Sequence, residues 1–169
     1  PGDERADTDL WGVERNDAGW RDPRPLPAPD NSDRSEFFPS VTRDGTLYFT
    51  RDGEGGASTL YRSRPTTDGG YAEPERLPDA VNSVAAQFNG WIDPDERFLV
   101  YAAFGRDDSR GSSDYYVSFR SEDDTWSGPV NLGDRINTDS GLEYSPSISP
   151  DGRWMFFMAS RSRFAAADF

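Results

Sequence analysis

Glu36, Gln87 and Glu143 stand at matching points of a recurring phrase in this chain, each followed by an aromatic residue: Phe37, Phe88 and Tyr144. Acceptors repeated in this way can serve two ends. As a ring around a channel mouth, they would bind a ligand, a cation or a basic side chain; otherwise each would fix the entry loop of its own repeat by hydrogen bonds. Other chemistry is narrow, because all 18 basic residues are Arg and the chain has no His or Cys. Within this segment that removes the Ser-His-Asp triad, thiol nucleophiles, Schiff-base lysines and His-ligated zinc or iron. We therefore expect no catalytic residue, cofactor or metal site here, and take Glu36, Gln87 and Glu143 as the ligand-binding candidates.

Three further features bear on chemistry. The loop Arg106-Asp107-Asp108-Ser109-Arg110-Gly111 holds oxygens suited to calcium but lacks the EF-hand pattern, so a solvated loop is the plainer reading. Asp44-Gly45, Asp95-Glu96 and Asp151-Gly152 fall eight residues after the three candidate acceptors. Asp accepting backbone N–H bonds, with Gly relieving a tight turn, accounts for them as architecture. Trp11, Trp20, Trp126 and Trp154 could stack on sugars, but each occupies a position of the repeat and is expected to pack between repeats, where burying one would contribute about 1.5–3 kcal/mol.

The elements that must position these residues follow from the same phrase. Its copies read Trp20, Pro23, Leu26, Asn31-Ser32; Tyr71, Pro74, Leu77, Asn82-Ser83; and Trp126, Pro129, Leu132, Asn137-Thr138. The period is roughly 50 to 55 residues, which is the signature of a repeat architecture. After each Asp turn comes an almost continuously apolar run, at residues 47–49, 98–104 and 154–159, expected to be a strand covered on both faces. The prolines mark an outer, fourth strand at the sheet edge. Each unit is thus a small four-stranded antiparallel sheet, and such sheets stacked around an axis are the blades of a β-propeller. The expected division is residues 1–35 as the outer half of a blade, 36–86 and 87–142 as complete blades, and 143–169 as an inner half, with the next strand resuming at Asp168-Phe169. Three blade equivalents fall short of the roughly four to eight that close a ring, so the expectation is a segment of a longer propeller or half of a dimeric ring, with self-association through the incomplete blades.

The run Pro146-Ser147-Ile148-Ser149-Pro150-Asp151-Gly152-Arg153-Trp154-Met155-Phe156-Phe157 resembles the Pro-Asp-Gly signature of WD40-like (PD40) repeats of TolB-type propellers. Pro39-Ser40-Val41-Thr42-Arg43-Asp44-Gly45-Thr46-Leu47-Tyr48-Phe49 is a second copy, and Gly90-Trp91-Ile92-Asp93-Pro94-Asp95-Glu96 a diverged third. The Asp turns also partly resemble the Asp box of sialidase-like propellers, a structural turn remote from catalysis. The resemblance implies a ring of about six blades, a periplasmic or extracellular location, and a non-catalytic module that binds or scaffolds a protein or glycan. The opposing reading is a glycan-processing enzyme, a sialidase-like hydrolase or lyase, whose catalytic residues lie mostly outside this segment.

Charge narrows the partners. With 31 acidic against 18 basic residues the net charge is −13, which repels nucleic acid and anionic membranes. The Arg-only usage has two readings: a GC-rich coding sequence, or a salt-adapted protein with a carboxylate-rich surface. Without cysteine there is no disulfide framework, and no apolar run long enough to span a bilayer is visible.

Overall fold

The computed structural model describes residues 7–139 and 141–160, and their regular structure is all-β apart from one 3-10 turn at Glu54–Gly56. The resumption expected at Asp168-Phe169 lies outside the described residues. In chain order the strands are β1 (Trp11–Gly12), β2 (Arg15–Asn16), β3 (Gly19–Trp20), β4 (Arg24–Pro25), β5 (Glu36–Val41), β6 (Leu47–Asp52), β7 (Ser58–Ser63), β8 (Glu75–Arg76), β9 (Ala86–Ile92), β10 (Phe98–Phe104), β11 (Ser113–Phe119), β12 (Val130–Asn131), β13 (Glu143–Ile148) and β14 (Met155–Ala159).

β5 to β8 pair antiparallel in sequence order, and β9 to β12 do the same. A single parallel bridge, Ser58 to Ala86, joins these two four-stranded groups into one mixed eight-stranded sheet. β1 pairs with β4 and β13 with β14 as separate two-stranded sheets, and β2 and β3 form a short hairpin. Pro23, Pro74 and Pro129 each stand one residue before the outer strand β4, β8 or β12, not within it. A residue with no N–H is thereby kept just outside the ladder it could not support.

The core is divided into layers between successive groups of strands. Leu10, Leu47 and Phe49 form one cluster, with Leu26, Tyr61 and Tyr71 against it. Tyr48, Leu60, Leu77, Ile92, Leu99, Tyr101, Tyr116 and Trp126 are among the residues of the next. Val100, Ala102, Tyr115 and Val117 meet Phe88, Ile148, Met155 and Phe157 in the third. Along β10 the residues alternate between the second layer and the third, so this strand is buried on both faces, and β6 likewise divides Tyr48 from Leu47 and Phe49. β14 departs from the expectation. Met155 and Phe157 face the third layer, whereas Trp154, Phe156 and Met158 are exposed because no described element lies over that face. The tryptophan expectation is corrected for the same reason: Trp126 is buried, but Trp11, Trp20 and Trp154 are 60%, 69% and 62% exposed.

Three devices recur at equivalent positions. Asn31, Asn82 and Asn137 each clamp one backbone residue, Leu10 just before β1, Leu60 in β7 or Tyr115 in β11: the side-chain oxygen accepts from its N–H at 2.8–3.0 Å, and the amide donates to the same residue's carbonyl at 3.0 Å. Phe38, Asn89 and Ser145 have φ of 53°, 54° and 64°, each beside a break in the register of β5, β9 or β13. Such a bulge redirects backbone donors, and the Asn89 N–H here reaches Thr50 Oγ1 of the preceding group at 2.9 Å. In the Asp turns, Asp44 and Asp151 accept from Thr42 and Ser149 hydroxyls and from the N–H of Thr46 and Arg153. In the middle copy the carboxylate has moved two residues earlier: Asp93 accepts the N–H of Asp95 and Arg97, leaving Asp95 to pair with Arg43 at 2.8 Å.

Candidate functional site

Each candidate acceptor stands at the start of the first strand of its group, Glu36 and Glu143 as the first residue and Gln87 as the second, and is sealed from solvent: Glu36 and Glu143 are 0% exposed and Gln87 1%. Glu36 accepts from the Ser32 hydroxyl at 2.5 Å and the Ser32 N–H at 3.1 Å. Gln87 accepts from the Val84 N–H at 2.9 Å and donates to its carbonyl at 2.6 Å. Glu143 accepts from the Thr138 hydroxyl at 2.7 Å, while its Oε2 is buried with no hydrogen-bond partner among the described residues. All three tie down the loop that leads into their own strand. They lie in three separate places, one per group of strands, and none presents surface to a ligand.

What differs between copies is the surrounding chemistry. Glu36 is opposite Arg51, Gln87 opposite Ala103, and Glu143 opposite Ala159. Arg51 donates from Nε to Glu36 Oε1 at 2.6 Å and from Nη2 to the carbonyls of Pro29 and Asp30 at 2.9 and 3.1 Å. Its guanidinium lies 5.0 Å from the Tyr61 ring centroid and 5.4 Å from that of Phe49. A guanidinium gripped on two edges and stacked on rings is fixed in place. Asp30 occupies the position held by Val81 and Ile136 in the other copies. It is 1% exposed, its Oδ1 has no partner among the described residues, and burial pushes its carboxyl above the ordinary value.

Beside this pair opens a cleft of roughly 410 Å³, walled by Ser32, Asp33, Arg34, Arg51, Asp52 and Tyr61. A short connection keeps it open, since only residues 53–57 separate β6 from β7, against residues 105–112 between β10 and β11. In the second group the longer loop folds back. Arg106 sits 4.9 Å over Tyr116, the counterpart of Tyr61, and donates to Ser83 Oγ at 2.6 Å. The carboxylates of that 106–111 loop and its surroundings serve the fold: Asp108 accepts from Tyr116 and Arg106, and Asp114 from the N–H of Arg110 and Gly111. Among the described residues no group of three or more acidic side chains is placed to hold a metal ion.

Arg34, Arg51, Asp33 and Asp52 are not among the residues picked out by sequence reasoning, which looked for what recurs. Their signal is the opposite one. Laid against the second copy, these positions hold Ala85, Ala103, Val84 and Phe104, so charge appears where the architecture accepts apolar residues. No protein-family model matches the chain. No curated protein matches it either.

Proposed function

We propose that this chain is a β-propeller segment of the PD40, TolB-like kind, acting outside the cytoplasm as a non-catalytic module that binds or scaffolds a protein or glycan partner. The observation that carries the reading is the use made of the acceptors: Glu36, Gln87 and Glu143 are each buried and bonded to their own lead-in loop. The Glu36 and Glu143 carboxylates spent in that way are not free to act as acid, base or nucleophile, since those roles need reach to a substrate atom, and the Gln87 amide does not ionise. The stacking of successive antiparallel sheets with apolar layers between them supports the propeller part. The location outside the cytoplasm rests on the family resemblance.

Two measurements test the reading. Electron microscopy of the protein encoded by the full reading frame should give ring-shaped particles, and an open, non-circular stack would remove the propeller. A panel of chromogenic glycosides should show no turnover above the buffer rate. Turnover that persists in the purified protein would replace the binding module with an enzyme.

A further inference from the structure

We infer that the cleft beside Glu36 and Arg51 is a binding subsite for a neutral saccharide. The inference rests on the non-catalytic binding reading and names its ligand class and place. Three observations converge on it. The cleft lies open beside the short 53–57 connection, whereas in the second group the longer 105–112 loop brings Arg106 back onto Ser83, the counterpart of the cleft-wall residue Ser32. Its walls carry Asp33, Arg34 and Asp52, where the second copy folds with Val84, Ala85 and Phe104, so the fold does not require these three charges; Arg51 is the partner of the buried Glu36. Arg51 is anchored through Nε and Nη2, which leaves Nη1 without an acceptor among the described residues.

The ligand class follows from the mixture of signs. An anion entering the cleft meets Asp33 and Asp52; a cation meets Arg34 and Arg51. Hydroxyl groups donate and accept at once, so neighbouring hydroxyls of a sugar can bridge a carboxylate and a guanidinium without a net charge of their own. A peptide has less to engage, because β7 is already paired on both sides, with β6 and β8. Arg34 and Asp33 are the groups free to close on a ligand. Among the described residues Arg34 makes only a loose ion pair, with Glu54 at 3.9 Å, and both residues are exposed.

The test is isothermal titration of the 169-residue protein with maltotriose, cellotriose, mannotriose and N-acetylchitotriose, beside trigalacturonate and an Arg-Lys tripeptide, each up to about 10 mM. At least one neutral trisaccharide should bind, and Asp33→Ala and Arg34→Ala should each weaken it by about tenfold or more. Asp79→Ala, an exposed control elsewhere, should leave it unchanged. Matching unfolding curves for the four proteins would exclude a folding effect. The inference is overturned by no saccharide binding, by tighter binding of trigalacturonate or the basic peptide, or by saccharide binding indifferent to both cleft substitutions. The last outcome would still leave a glycan-binding module, and only glycoside turnover would remove the reading beneath it.

Discussion

Asp30 and Asn82 mark the two extremes of what a buried polar residue does in this chain. Asp30 sits where the other copies place Val81 and Ile136, and burial raises its pKa above the ordinary 3.8. A carboxyl whose folded pKa is raised favours the fold while protonated and loses that contribution as pH rises through the folded value. Asp30→Asn, neutral at every pH, should therefore be more stable than the native protein at pH 7. The two should converge as pH falls toward 4, which urea unfolding at a series of pH values will read. Asn82 is the reverse case. Its three bonds satisfy the N–H and C=O of Leu60 and the C=O of Leu77 in a buried setting. Replacement by Ala strands the Leu60 N–H, while the two carbonyls keep the Leu77 N–H and Arg76 Nη1, so Asn82→Ala should lose about 1–3 kcal/mol in equilibrium unfolding. The recurrence of this Asn is plain in the sequence. Its role is not, because the partner lies 22 residues back on another strand and only the folded register brings the two together.

Between elements, the first and second groups are braced by an ionic cluster that the sequence does not announce. Asp124, at φ 64°, accepts both terminal nitrogens of Arg62 at 2.8 Å and is joined by Arg64 and by Arg120 Nε. Arg120 in turn reaches Glu96, which accepts the Tyr48 hydroxyl at 2.7 Å. Hydrogen bonds from Arg62 hold the Asp124 carboxyl well below the ordinary carboxylate range. Such a group contributes stability that is present above about pH 4 and is lost as pH falls through its folded pKa. Asp124→Asn should thus be less stable than the native protein at pH 7 and lose less stability than it on acidification below pH 4, checked by thermal unfolding between pH 2 and pH 7. The contrast with the Asp turns shows which parts of a fold are legible. Asp44 and Asp151 bond to residues two positions away, so local spacing reveals them. Arg62 and Asp124 are 62 residues apart, and their meeting depends on how two sheets stack. The left-handed residues Phe38, Asn89 and Ser145 share a position but not a residue type, which hides a conserved backbone shape behind unlike side chains. The misread tryptophans are a further case, since their repeat position implied burial but exposure depends on whether another sheet covers them.

At the scale of the whole molecule, a net charge of −13 and two apolar end faces act against one another. Trp11 and Trp20 lie on the first sheets of the stack, and Trp154, Phe156 and Met158 on the last, all largely exposed. Large exposed apolar side chains gathered on one face favour association, while like net charge keeps copies apart over a distance set by salt. The Debye length shrinks from about 30 Å at 0.01 M to about 10 Å at 0.1 M ionic strength, so repulsion between copies fades while the apolar attraction does not. The mean mass in light scattering should therefore rise as sodium chloride is raised from about 10 mM to about 500 mM at constant protein concentration. Surface ion pairs such as Arg43 to Asp95 weaken over the same range, and association driven by such pairs would show the opposite trend. A Trp154→Ser/Phe156→Ser double variant separates the two sources, because it removes apolar surface and leaves the charge at −13. It should stay at monomer mass across the whole salt range. If it associates as the native chain does, the β14 face is not what brings copies together, and the exposed Trp11 and Trp20 at the other end are the remaining apolar surface.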